Sequence, residues 1–476
     1  MSTFSRKYID KACLASLGLL LISLLTALVH YPLTWGLMDD AQTLRAVKIT
    51  WSHLSLFELL HRHSVDTIFR PVYVAYLYVF YGAFQNSPKL FYVFTFFLLL
   101  LIIWPWALIL RRHLRPASRQ ALLILFSLLL LACTPIYNLL VYLSLQEKFV
   151  IGFGGWCLYA LTTAESFENQ PKRWWLLQGT SFACFLLGLF GKPTTIIFAP
   201  WGLAALAFNS RAGWKGRSFW AVLWLTLTIS MGSVFLRRSD SYTSKYATNA
   251  GVLFERLGHQ PVMVYLLLAL ALVTALVVAM DRRDDQDALL RHWPSRWLWP
   301  CCLICYLAVL VPWGISTYLW APAMVLACGC VVLVVDWVIE KWPRFGSSAL
   351  NLGMPVAVLV AAVVVFHIAI PRLARQAEIG EVVAWMAPRF PNVRTDVFIM
   401  APCMEAAGAL EYYAGNTQTI AYLPKGEPAL STRPKRWLIT RDECPIDPAH
   451  TAQFDRVIFQ LPHWIIYEGG ERDGIQ

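Results

Sequence analysis

The feature that most constrains this chain is its division into long apolar blocks. Runs of roughly 15–25 residues alternate with short charged clusters over most of its length. A block of that size matches a hydrocarbon core about 30 Å thick, at ~1.5 Å of rise per helical residue. Inside that core only a helix satisfies its own backbone groups without neighbours. Charged residues make up 14% of the 476 positions, against about 25% in an ordinary soluble domain. A soluble protein of two or three domains is therefore excluded. The net charge of +11 belongs to cytoplasmic loops facing anionic headgroups rather than to nucleic-acid binding.

Blocks at 12–30, 90–110, 121–135, 149–161, 176–190, 194–208, 219–236, 262–280, 298–311, 318–338 and 353–370 predict about eleven transmembrane helices. The first is too long for a signal-peptide core and lacks a small-residue cleavage site, so it reads as a retained helix. Arg6, Lys7 and Lys11 precede it and place the N-terminus in the cytoplasm. Arg111, Arg112, His113, Arg115 and Arg119 put the next basic turn on the same side, as does the charged loop 281–296. An odd count leaves the C-terminus outside. Arg237, Arg238, Lys245 and Arg256 fall outside, against the bias.

Two stretches break the pattern of spans. Residues 32–88 form an outer loop with amphipathic pieces at 41–61 and 71–84, suited to lying at the interface. Residues 371–476 read as a soluble domain of ordinary size, leaving 1–370 as the membrane domain. Within 371–476, strands are expected at 397–401, 436–440 and 456–460, and a helix at 405–413. This is a small α/β domain. Cys403 and Cys444 lie in it, either as a disulfide of an oxidising compartment or as separate thiols. Cys301, Cys302 and Cys305 form a CCxxC cluster without a His or acidic partner nearby, and they read as small apolar residues rather than metal ligands. His61, His63 and Asp66 are a weak metal pattern.

No phosphate-binding Gly loop, dinucleotide fingerprint or nucleophilic triad context is present. The residues that could carry chemistry lie at helix ends on one predicted face. Asp39 and Asp40 follow the first span, where an acid pair can act as general base or cap the next helix. Arg70 opens the 71–84 stretch and suits a phosphate, or simply snorkels to the interface. Lys192 is a lone cation in the tight hairpin Gly191-Lys192-Pro193; beside apolar helices it needs a partner or water. Glu147 and Lys148 interrupt the run 139–155, as site residues or as a loop ion pair.

The order of these motifs resembles the GT-C superfamily of polyprenyl-phosphate-sugar-dependent membrane glycosyltransferases, which includes protein O-mannosyltransferases and the lipid A aminoarabinose transferase. Asp39-Asp40 stands for the acidic pair, Phe69-Arg70-Pro71 for the start of the juxtamembrane helices, and Leu110-Arg111-Arg112-His113-Leu114 for the basic turn. Thr134-Pro135 and Glu147 follow as the proline and second acid, then Gly191-Lys192-Pro193-Thr194 and Thr317-Tyr318-Leu319-Trp320-Ala321-Pro322. The resemblance covers about residues 10–340, as an order of short motifs. It departs at Glu147, where Asp is commoner, and at Thr317, where an arginine is expected. Arg237 or Lys245 is the alternative source of that contact.

The resemblance implies an inverting transferase of a bacterial inner membrane, N-terminus cytoplasmic and C-terminus periplasmic. It implies Asp39 as base, Asp40 and Glu147 as supporting acids, and Arg70, Lys192 and Tyr318 on the lipid phosphate. The partners would be an undecaprenyl-phosphate-linked sugar, a glycan or protein acceptor such as O-antigen, and membrane lipids. No cofactor is required, although some branches place a divalent metal between two acids. The competing classes are a transporter or flippase of lipid-linked sugars, an O-antigen polymerase or ligase, and a non-catalytic membrane scaffold.

Overall fold

The structure is a computed structural model. It describes residues 3–33, 55, 58, 70–84, 87–141, 145–167, 170–208, 214–238, 262–281, 296–310, 317–389, 395–400, 419–423, 435–441, 454 and 456–469. In chain order the α-helices are α1 (Thr3–His30), α2 (Pro71–Phe84), α3 (Pro88–His113), α4 (Arg119–Leu131), α5 (Thr134–Val141), α6 (Glu147–Ala164) and α7 (Pro171–Gly191). They continue as α8 (Ala199–Phe208), α9 (Trp214–Arg238), α10 (Val262–Asp281), α11 (Leu298–Leu310), α12 (Ala321–Lys341), α13 (Pro343–Val364) and α14 (Ile370–Met386). 3-10 turns at Pro193–Phe198 and Thr317–Trp320 lead into α8 and α12.

Among the described residues six helical stretches are long and apolar enough to cross a bilayer: Tyr8–His30, Pro88–His113, Pro171–Gly191, Val262–Asp281, Ala321–Lys341 and Pro343–Met386. A seventh results if α4 and α5, bent by 70°, are one broken span. A multi-pass helical membrane protein is thus supported, but the expected count of about eleven is met only in part. The other blocks are shorter or more polar than a full span. α11 has 13 residues and α8 has 10. α9 carries Lys215 and Arg217, and α6 opens on Glu147 and Lys148.

Two prolines explain the irregularities in the long helices. Pro135 has no N–H for the carbonyl of Leu131, four residues back, so the helix breaks between α4 and α5. The hydroxyl of the buried Tyr137 donates to that carbonyl instead. Pro371 likewise cannot continue the regular ladder. Just before it, the chain widens into a π turn at Val365–Ala369, where Ile370 N–H reaches back to the Val365 carbonyl. The helix then runs on to Met386.

α6 sits at the centre, with nearly all its residues buried. It lies parallel to α3: Gly152 faces Ile102, Gly155 faces Pro105 and Trp106, and Arg112 covers the Tyr159 ring. The Trp106 indole N–H donates to the Ile151 carbonyl at 2.9 Å. A Cβ at Gly152 would stand 2.8 Å from an Ile102 methyl, so the glycine is what permits this approach. α7 returns antiparallel: Ser181 bonds the Cys157 carbonyl at 3.0 Å, Gly188 faces Phe153, and Gly191 faces Phe149. The start of α6 and the end of α7 therefore share one end of the bundle. α2 joins them there, with Tyr76 edge-on to Phe149 at 5.4 Å.

The C-terminal residues form a five-stranded sheet of β1 (Thr395–Met400), β2 (Thr419–Leu423), β3 (Lys435–Arg441), β4 (Arg456–Gln460) and β5 (Trp464–Gly469), in the order β2-β1-β3-β5-β4. β1 pairs parallel with β2 and β3, while β5 pairs antiparallel with β3 and β4. Trp385 of α14 packs on Trp437 and Phe459, joining the sheet to the last helix. Three strands match expectation; β2 and β5 are additional. The expected helix at 405–413, Cys403 and Cys444 lie outside the described residues.

Candidate active site

The local sequence dictates how Glu147 and Lys192 meet. Pro193 disfavours helical backbone at the residue before it. Lys192 is accordingly extended, with φ −149° and ψ 117°, and it ends α7 while its N–H still bonds the Gly188 carbonyl at 2.7 Å. One residue earlier, a Cβ on Gly191 would lie 2.7 Å from the Phe149 ring. Only glycine lets the end of α7 lie against the first turn of α6. The Lys192 ammonium then reaches the Glu147 carboxylate at 2.8 Å, with the side chains 16% and 1% exposed. Each charge sits where its own helix favours it, the acid at an N-terminus and the cation at a C-terminus. The expected alternatives, an exposed turn lysine and a loop ion pair of Glu147 with Lys148, do not describe this arrangement.

The ion pair is close in distance but not aligned as a hydrogen bond. Neither Glu147 oxygen has a hydrogen-bond partner among the described residues, and the Thr194 and Thr195 hydroxyls beside Lys192 also lack one. A buried polar group without such a partner is costly, so a polar ligand or water that supplied one to Glu147 would be favoured there.

Arg70 is brought to the same corner. It precedes α2, its carbonyl takes the Val74 N–H, and its guanidinium donates to the Gln146 side-chain oxygen at 2.5 Å. Gln146 is the residue before Glu147, so Arg70 and Lys192 are held by consecutive residues. Sequence reading does not single out Gln146; a neutral amide in an apolar run is its only signal. Tyr318 lies in the Thr317–Trp320 turn, whose Leu319 carbonyl accepts the Tyr306 hydroxyl at 2.8 Å. Tyr306 is in electrostatic range of Glu147. Asp39, Asp40, His61, His63, Asp66 and Lys245 lie outside the described residues.

A second charged cluster occupies the opposite end of the bundle. Arg115, after α3, meets Asp281 of α10 at 3.0 Å and Asp336 of α12 at 3.4 Å, and also pairs with Glu340. Arg296 pairs with Asp281 and donates to the His113 carbonyl at 2.7 Å. Ser118 donates to Asp336 at 2.6 Å, and the Trp299 indole to His113 Nδ1 at 3.1 Å. The cavity among these residues has room for little more than one water. Among the described residues no group of three or more His, Cys, Asp or Glu is placed to hold a metal ion. Cys301, Cys302 and Cys305 are free thiols.

No protein-family model matches the chain, and no curated protein matches it. Among solved structures it is similar to the oligosaccharyltransferase of Archaeoglobus fulgidus. The form tethered to an acceptor peptide containing the NVT sequon gives a TM-score of 0.49 at 12% identity over 88% of this chain and 64% of that one. The complex with Zn and sulfate gives 0.45 at 12% identity over 84% and 62%. The chain thus spans less than two-thirds of the length of those proteins. A likeness at this level carries nothing about donor or acceptor.

Proposed function

We propose that this chain is a membrane glycosyltransferase of GT-C type that transfers one sugar from a polyprenyl-phosphate carrier to an acceptor hydroxyl at the membrane face bearing Glu147 and Lys192. The observation that carries the reading is the buried Lys192–Glu147 pair at 2.8 Å, with Arg70 held beside it at 2.5 Å from Gln146. Two cations are gathered at one corner between apolar helices, where a lipid phosphate at the interface is the natural anion.

In the proposed reaction the acceptor oxygen attacks the anomeric carbon while the carbon–oxygen bond to phosphate breaks, with inversion. The acceptor proton passes to Asp39, supported by Asp40. Polyprenyl phosphate leaves with the bond electrons, and its new negative charge is met by Arg70, Lys192 and the Tyr318 turn. Catalysis is then positioning and electrostatic stabilisation of the leaving group. No step is assigned to a metal. Eleven alternating passes of a bacterial inner membrane, with the N-terminus cytoplasmic, the sheet domain periplasmic and the site on that face, complete the reading. Undecaprenyl phosphate is the expected carrier, and an O-antigen, another envelope glycan or a protein the acceptor.

A transporter of lipid-linked sugars is the second reading, favoured by ion pairs at both ends of the bundle, which is where a carrier needs gates. The test is reconstitution in proteoliposomes with polyprenyl-phosphate sugars. Transfer lost in a folded Asp39→Asn protein supports the enzyme; full transfer in that variant overturns the base assignment. Movement of carrier lipid between leaflets without transfer establishes the transporter.

A further inference from the structure

We infer that Gln146 is a positioning residue that holds Arg70 towards the donor phosphate; the inference rests on the reading of Arg70 as a phosphate ligand. The Arg70 guanidinium donates to Gln146 Oε1 at 2.5 Å across 76 residues of sequence. Gln146 itself is fixed, because its carbonyl accepts the Phe149 N–H at 3.0 Å as α6 begins. The chemistry of the acceptor matters. An amide oxygen occupies one of the five guanidinium N–H donors without neutralising the charge. Lys192, held by the next residue, Glu147, is instead balanced by a carboxylate. Gln146 and Glu147 therefore hold two cations differently: Arg70 through a neutral amide oxygen, Lys192 through a carboxylate.

The inference is tested by direct binding of undecaprenyl phosphate to the full-length protein in lipid nanodiscs, with undecaprenol as the uncharged control. Arg70→Met, Gln146→Leu and the double variant are compared with wild type, each checked for an unchanged thermal midpoint. Gln146→Met, closer in length, serves if the leucine variant does not fold. A hydrogen bond to a charged group is worth enough that Gln146→Leu should weaken undecaprenyl phosphate binding about tenfold or more. Undecaprenol binding should not change, and the double variant should bind no worse than Arg70→Met, because Gln146 acts through Arg70. If Arg70→Met weakens phosphate binding and Gln146→Leu does not, or if the two losses multiply, the positioning role is overturned and the phosphate reading stands. If Arg70→Met binds as wild type, the phosphate reading fails and the positioning role falls with it. Equal loss of undecaprenol binding also overturns it, since that would be a general loss of packing.

Discussion

Replacing Lys192 by methionine keeps the side-chain length and removes the charge that faces Glu147. At 2.8 Å and an effective dielectric of about 20, the gross attraction is about 6 kcal/mol. Most of that offsets the desolvation of two charges, so the pair itself contributes little net stability. Removing one partner is different. Glu147 is 1% exposed and has no hydrogen bond among the described residues, so it would remain buried as an uncompensated charge at a cost of about 3–5 kcal/mol. Lys192 is 16% exposed, which lets some water reach the gap and favours the lower figure. The double variant Glu147→Gln with Lys192→Met has no charge left to desolvate and should lie within about 1 kcal/mol of wild type. The coupling is then about 2 kcal/mol or more. Reversible unfolding by SDS titration in mixed micelles measures all four corners of the cycle. A Lys192→Met protein as stable as wild type, or a double variant no better than the single, would refute the claim that Glu147 is buried against this one cation.

At the other end of the bundle, Arg115→Met should cost about 3–5 kcal/mol in the same assay. Asp336, 2% exposed, would keep only Ser118, while Asp281 keeps Arg296. Stability unchanged would mean that this cluster is hydrated. Tyr137→Phe removes the one donor that, among the described residues, reaches the Leu131 carbonyl at the break before Pro135. It should cost about 1–3 kcal/mol, read as a lower thermal midpoint, and no change would mean that water serves that carbonyl.

The helices were legible because a bilayer imposes a length on an apolar run, and that length is a property of the chain alone. The start of α2 at Pro71 and the end of α7 at Gly191 follow from proline and glycine chemistry that acts over one or two residues. The breaks inside blocks are less visible. Pro135 marks the end of a span in the sequence, but whether the chain stops or bends depends on whether something such as Tyr137 takes the stranded carbonyl. The sheet divides the same way. β3 and β4 read as short continuous apolar runs rich in β-branched and aromatic residues, whereas the five-residue β2 exists because it pairs with β1, and pairing between distant segments leaves no local mark. The Arg115 cluster joins residues up to 225 positions apart. Asp336 did carry a signal, since an acid within an apolar span needs a partner, but an account by blocks absorbs it into the span.

The two charged corners differ in a way that sorts chemistry from architecture. At the Arg115 end both buried carboxylates have partners on each oxygen: Asp281 meets Arg115 with one and Arg296 with the other, and Asp336 meets Ser118 and Arg115. The groups there tie the turn after α3 to α10, the start of α11 and α12, and a ligand would have to break an ion pair to enter. At the Glu147 end the carboxylate has, among the described residues, one ionic contact and no aligned hydrogen bond, and the hydroxyls of Thr194 and Thr195, which follow Lys192 in the chain, are unmatched. A saturated network resists change because every rearrangement leaves a buried group unpaired; an unsaturated one gains when a ligand supplies the missing partners. By the partners of the carboxylates, a ligand gains more at the Glu147 end, where the proposed function puts substrate, while the Arg115 cluster ties the turn after α3 to α10 and α12.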